Sequence, residues 1–230
     1  MDQNFIKLQK KLGIDFKNLE IYQLAFKHPS YLNENFSFTT NTNQRLEFLG
    51  DSILGLVLAE FLYTKYPEYT EGLLTDIRSE LVKDQTLSII GKEFNLGDYL
   101  ILGKGENKSG GREKESNIAD AFEALLGAIF IDKGFNIVKT VLHNIFSPRI
   151  DLINPDELKD PKTRIQEYYL NNQSIIPTYK LVKKRGNEHN PIFTMSLIIN
   201  NEIISNGEGS SKKQAEQNAA KTALEFLNKG

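Results

Sequence analysis

The rhythm of hydrophobic positions changes near residue 150. Before it, apolar residues recur at helical spacing and predict helices over 18–26, 43–65, 73–94, 117–131 and 136–146. After it, Pro161 to Leu170 reads as a helix, with Asp160 as N-cap and Pro161 in the first position. Three runs rich in β-branched and aromatic residues, 177–184, 191–199 and 202–208, read as strands, with a turn at Asn200-Asn201 before the last. Ser210 to Leu227 closes as a helix. The order α-β-β-β-α predicts a sheet with both helices on one face. Pro148, Pro155 and Pro161 fall between the two regimes and are expected to break helical continuity. The expected fold class is therefore α+β with two domains: an all-α unit over 1–147, a linker over 148–158, and an α-β-β-β-α unit over 159–230.

Two of the predicted helices carry charge where a core helix should not. The run from Gln44 to Tyr63 is apolar almost all the way round, which marks a buried helix. Glu47 and Asp51 nevertheless stand at i and i+4 in its first turns and leave from one face. The segment Asn117 to Phe130 repeats the anomaly with Asp120 and Glu123 at i and i+3. Taken singly, Asp120 fits a helix N-terminal charge, with Asn117 as cap. Glu123 lies a turn further in, between Phe122 and Ala124, where that explanation weakens. Carboxylates sharing a face of a buried helix repel each other and lose hydration unless a cation joins them. Four carboxylates with no cysteine and no well-placed histidine make an all-oxygen site, which suits Mg²⁺ or Mn²⁺ and argues against zinc.

The same residues carry a resemblance. Gln44-Arg45-Leu46-Glu47-Phe48-Leu49-Gly50-Asp51-Ser52 resembles the signature of the ribonuclease III family, endonucleases that cut double-stranded RNA. Ala25 to Tyr31, Glu71 to Thr75, Leu102 to Glu106, Ser109 to Arg112 and Asp120 to Gly127 resemble that family's other blocks, in the same order. The resemblance implies metal-dependent hydrolysis leaving 5′-phosphate and 3′-hydroxyl ends. Glu47, Asp51, Asp120 and Glu123 are the expected metal ligands, Glu123 is placed to share two ions, and Asp51 has the alternative role of orienting or deprotonating the attacking water. The resemblance further implies processing of ribosomal RNA precursors and of some messenger or transfer RNA precursors.

Composition fits a small two-domain protein. The 230 residues suffice for at least one full core, and the absence of cysteine rules out disulfides and thiolate metal sites. The first residues lack signal-peptide character and no apolar stretch is long enough to span a bilayer, so no membrane partner and a cytoplasmic address are expected. A net charge of −2 looks unsuited to a nucleic-acid binder until it is divided. Residues 1–158 hold 17 Lys/Arg against 23 Asp/Glu, while 159–230 hold 11 against 7. An acidic half that needs cations joined to a basic half fits an RNA substrate.

The second unit resembles the double-stranded RNA-binding domain over nearly its whole length, from Asp160-Pro161-Lys162-Thr163 through Ser211-Lys212-Lys213 to Ala223-Leu224. The resemblance implies three contacts with an RNA duplex. Thr163, Gln166 and Glu167 face one minor groove, the loop with His189 the next, and Lys212 and Lys213 the phosphates between. A-form RNA offers its 2′-hydroxyls in the shallow minor groove, so recognition is mainly by shape. Lysines at a helix N-terminus are disfavoured unless an anion joins them there.

Cutting both strands is most simply done by a symmetric homodimer, and Phe48 matches a family residue that inserts into the partner. Gln44 stands where the family very often has Glu. As a poor metal ligand it is expected to contact RNA or support the site's outer layer. Glu71 resembles another acidic position near the cleavage site, and His28, before Pro29-Ser30, reads as structural. A non-catalytic double-stranded RNA-binding or ribosome-associated relative is the competing class, expected to lack one or more of the four carboxylates. A helical phosphohydrolase with a His-Asp site fails because His28 and His143 have no matching partners.

Overall fold

The computed structural model describes residues 3–34, 42–153, 160–187 and 190–227. They form two units, divided between Ile153 and Asn154. Helices α1 (Gln3–Leu12), α2 (Leu19–Ala25), α3 (Ser30–Glu34), α4 (Gln44–Lys65), α5 (Glu71–Leu81), α6 (Asp84–Glu93), α7 (Lys104–Lys108), α8 (Glu115–Lys133) and α9 (Phe135–Ile150) build the first. No described helix is long and apolar enough to cross a membrane.

Helices α4 and α8 form the centre of this unit. Leu46, Gly50, Ile53 and Val57 recur at helical spacing on the buried side of α4. On α8, Ala121, Leu125 and Ala128 are among the fully enclosed residues. The helices meet almost backbone to backbone. A Cβ built on Gly50 would fall 1.7 Å from the Glu123 carbonyl oxygen, and one on Gly127 would fall 2.3 Å from that of Leu46. Only hydrogen at both positions permits this crossing.

The sequence merges α5 and α6 into one helix over 73–94; the structure divides them. Lys83 is extended (φ −62°, ψ 143°), and Asp84 opens α6. An acidic residue there complements the helix N-terminus, and the Thr86 hydroxyl donates to the free Glu80 carbonyl at 2.9 Å. A second difference concerns Pro148, which lies inside α9 rather than ending it. Its missing N–H leaves one carbonyl free a turn earlier, and Arg149 Nη1 donates to the next, that of Ile145. The helix therefore runs through the first three residues assigned to the linker, and 154–158 of that linker lie outside the described residues. A third concerns Asn117, which sits inside α8 and does not cap it; Lys114 holds that place.

Asp132, at the far end of α8, fastens α2. It accepts the Lys17 and Asn18 amides at 2.9 and 3.0 Å and the Tyr22 hydroxyl at 3.0 Å. Burial alone would raise its carboxyl, but these donors hold it below the ordinary range.

In the second unit, α10 (Pro161–Gln173) precedes β1 (Thr178–Arg185), β2 (Ile192–Ile199) and β3 (Glu202–Gly209), and α11 (Lys212–Leu227) follows. The antiparallel sheet has the order β1-β2-β3. Asp160 caps α10 as expected, accepting from the Lys162 and Thr163 amides. Asn200 and Asn201 both take positive φ (50° and 65°), the backbone that a two-residue hairpin turn requires. Ile165 and Tyr169 of α10, Leu197 and Ile199 of β2, and Ala219, Ala220, Ala223 and Leu224 of α11 share one core. Both helices thus lie on one face of the sheet.

Candidate active site and nucleic-acid interface

The glycine crossing decides where the acidic residues meet. Glu47 and Asp51 flank Gly50 on α4, and Glu123 is the residue of α8 whose carbonyl Gly50 touches. Backbone contact there brings the two acidic pairs close enough for their charges to act on one another. Glu123 is half-buried, and its carboxyl is pushed up to about 8. Burial is the largest cause, followed by the charges of Asp51, Glu47, Asp120 and Asp84. Glu47 is raised by burial and then by Asp120 and Asp51. Asp120 is raised by burial and by Asp84, partly offset by His28 and Lys114.

The four expected carboxylates are thus brought into one electrostatic neighbourhood. Among the described residues none of the four has a Lys or Arg partner within ion-pair distance. Nor are three Asp, Glu, His or Cys side chains already drawn together as a metal cage among them. The donor set is entirely oxygen, and its members repel one another, which is the chemistry that a hard divalent cation relieves.

Asp84 was not singled out from sequence. It is the first residue of α6, exposed, and it raises both Asp120 and Glu123. In sequence it reads as an ordinary acidic helix start, and no local signal marks it.

A second layer backs Asp120. Asn117, one turn earlier and buried, donates to Glu106 Oε1 at 2.9 Å and to the Gly111 carbonyl at 3.0 Å. Glu106 faces Lys114 at 3.6 Å. The His28 ring meets Ser30 Oγ at 2.8 Å, and Ser30 Oγ accepts the Gly103 amide at 3.0 Å. Burial lowers the His28 pKa despite Glu106 and Asp120. These links tie the blocks at 25–31, 102–106 and 109–112 to the start of α8.

Other expected residues fall elsewhere. Glu71 opens α5, accepts the Thr75 hydroxyl at 3.1 Å, and lines a cavity of about 450 Å³ with Tyr63, Tyr66 and Tyr69. It is not among the charges that raise Glu47, Asp120 and Glu123. Gln44 is exposed at the start of α4 and accepts the Thr42 hydroxyl at 3.2 Å. Phe48 is 76% exposed, and Leu56 and Tyr63 continue an apolar flank down α4 at 59% and 74%.

In the second unit, Thr163, Gln166 and Glu167 are exposed on α10, and Lys212 and Lys213 are exposed at the start of α11. Thr163 donates its hydroxyl to Asp160 at 2.6 Å. Gln217 Nε2 donates to the same carboxylate at 2.7 Å, clasping α10 to α11 and fixing the spacing of their exposed faces. His189 lies outside the described residues.

Comparison with known proteins covers both units. Residues 18–149 match the family described as Ribonuclease-III-like, and 161–227 match the double-stranded RNA binding motif. Ribonuclease 3 of Borreliella burgdorferi is 43% identical over 222 residues, 96% of this chain and 90% of that protein. Ribonuclease 3 of Shewanella denitrificans is 43% identical over 230 residues, 99% of this chain and 98% of that protein. The crystal structure of the nuclease domain of Campylobacter jejuni ribonuclease III is 35% identical with a TM-score of 0.60, covering 67% of this chain and all of that one. With both domains matched in order and nearly full-length identity of about 40%, the chain belongs to the ribonuclease III family and is an endoribonuclease that carries a double-stranded RNA-binding domain after its nuclease domain.

Proposed function

We propose that this chain hydrolyses double-stranded RNA with a divalent cation, Mg²⁺ or Mn²⁺, leaving 5′-phosphate and 3′-hydroxyl ends. The supporting observation is the convergence of Glu47 and Asp51 with Asp120 and Glu123 across the α4–α8 crossing, in a field that pushes Glu123 up to about 8. These four would hold the ion. When bound, such an ion lowers the pKa of water and stabilises charge developing on phosphate oxygens. The chain contributes the rest. The crossing fixes the helices that carry the carboxylates, so that a cation has only side chains to draw in. Asp51, exposed at the solvent edge, orients the incoming water and takes its proton. Glu123, half-buried beneath it, remains in a low-dielectric setting where charge matters most.

Thr163, Gln166, Glu167 and His189 address successive minor grooves, and Lys212 and Lys213 the phosphates between them. Duplex stems in precursors of ribosomal, messenger and transfer RNA are the substrates this reading assigns. A labelled RNA duplex incubated with the full chain should be cleaved with Mg²⁺ and bound but left intact with Ca²⁺, whose larger, looser coordination positions water less strictly. Binding without cleavage under both ions would make the chain the non-catalytic relative.

A homodimer completes the reading, with one site per strand. One matched structure, of the Campylobacter jejuni nuclease domain, is described by flexibility in its region involved in dimer formation; it is 35% identical with a TM-score of 0.58 over 64% of this chain and 98% of that one. The exposed flank of Phe48, Leu56 and Tyr63 offers an apolar surface of the kind that partners cover. Phe48→Glu should leave the fold intact, because the ring packs on little within its own subunit, and shift sedimentation from dimer to monomer. A dimer unchanged by F48E would remove Phe48 from the interface.

A further inference from the structure

Strand β1 carries Lys180, Lys183, Lys184 and Arg185, all exposed, and the pairing register sorts them between the two faces of the sheet. Leu181 pairs with Met195, but Lys183 pairs with Thr194 and Lys184 with Phe193, so Val182 is an extra residue in β1. Such a bulge reverses the alternation of side chains beyond it. Without it, Lys183 would share the face of Leu181; with it, Lys184 does.

Contacts on each face agree with that assignment. On the outer face, Arg185 donates to Glu208 Oε1 at 2.7 Å, and the Thr194 hydroxyl donates to the same oxygen at 3.0 Å. On the other face, the Lys184 ammonium lies over the Phe193 ring, 5.6 Å from its centre. Phe193 pairs in turn with Gly209 of β3. A Cβ on Gly209 would fall 2.7 Å from the Ala215 amide nitrogen and 2.9 Å from Gln214. The row Lys184–Phe193–Gly209 therefore runs directly under the first turn of α11. With strands ~4.8 Å apart, Lys184 originates two strand widths, ~10 Å, from Gly209, on the face of the sheet that carries the helix opened by Lys212 and Lys213.

We infer that Lys184 is a further phosphate-binding residue of the RNA-binding unit, brought by the Val182 bulge onto the same side as Lys212 and Lys213. This rests on the duplex-binding reading above. The Phe193 ring face holds the Lys184 ammonium, and because the ring carries no net charge the cation is held without being neutralised. Lys183, one residue earlier, faces the opposite way and contributes no phosphate contact on that side.

The test is the salt dependence of duplex affinity for the full chain in Ca²⁺, measured by anisotropy of a labelled RNA duplex. Lys184→Gln should weaken binding about three- to tenfold and lower the slope of log K against log salt by about 1, the loss of a single phosphate contact. Lys183→Gln should stay within about twofold with its slope unchanged, and Lys184→Arg should restore the wild-type slope. If K184Q behaves as K183Q while Lys212→Gln with Lys213→Gln loses affinity, the role of Lys184 is refuted and duplex binding by this surface stands. If the Lys212/Lys213 double variant also binds like wild type, the duplex-binding reading fails, and Lys184's role with it.

Discussion

Glu123→Gln should abolish cleavage of an RNA duplex, by at least about 10³-fold, while leaving duplex affinity in Ca²⁺ unchanged. The amide keeps the size and much of the packing of the carboxyl but loses its charge and its capacity to hold a cation. A second, independent consequence follows from its position. Because burial and four acidic neighbours push Glu123 from 4.5 up to about 8, the fold favours its protonated form. The native state therefore holds a proton that the unfolded chain releases above ~4.5. Its contribution to stability is complete below that pH and is lost as pH rises towards 8. In metal-free protein the variant should thus be more stable than wild type at pH 8, by roughly 3 kcal/mol after allowing for partial exposure, and nearly equal to it at pH 5. Urea unfolding at the two pH values reads this directly. Retained cleavage would remove Glu123 from the metal set; equal stability at pH 8 would contradict the repulsive field.

Gly50→Ala should be the most disruptive single-methyl change in the nuclease unit. The added Cβ falls 1.7 Å from the Glu123 carbonyl oxygen and 2.6 Å from its carbon, both backbone atoms that cannot swing aside. The two central helices must separate, at a cost of about 3 kcal/mol or more. Thermal unfolding of that unit should fall by several degrees, and cleavage should fall beyond what stability explains, because the carboxylates on either side move with the backbones. Gly55, one turn and a half further along α4, provides the control. A Cβ there meets nothing within 4 Å, so Gly55→Ala should stabilise by about 0.5–1 kcal/mol through helix propensity alone. If G50A melts like G55A, the crossing is looser than described.

Which features were readable from sequence follows from how local their causes are. Asp160-Pro161 announces α10 because cap and first-turn proline act within four residues, and Asn200-Asn201 announces its turn because each residue tolerates positive φ by itself. The paired carboxylates stood out because charge on an otherwise apolar helix needs an explanation whatever it packs against. The break at Val82-Lys83 did not stand out: hydrophobic spacing continues across it, and only the hydrogen bond from Thr86 to Glu80 shows where the carbonyls are satisfied. Asp84 joined the site through the packing of α6 on α8, a relation between distant segments with no local mark. Pro148 misled in the opposite direction, since a proline near a helix end forfeits a single hydrogen bond while the packing of Ile145, Phe146 and Ile150 carries the helix on. Asn117 resembles a cap by type and position, yet its amide crosses to Glu106 and Gly111 instead. The Val182 bulge likewise depends on how β2 pairs with β1, which alternation within β1 cannot reveal.

The central crossing also sets an order of events during synthesis. Glu47 and Glu123 are 76 residues apart in the chain, and α4 is almost uniformly apolar. At roughly 5–20 residues per second, the segment that packs on α4 leaves the ribosome about 4 to 15 s after α4 itself. For that interval a greasy helix has emerged with its main partner still unmade. Until then the nascent chain can neither bury this surface nor bring its second pair of carboxylates to the first, so the exposed helix and the inactive nuclease share one cause.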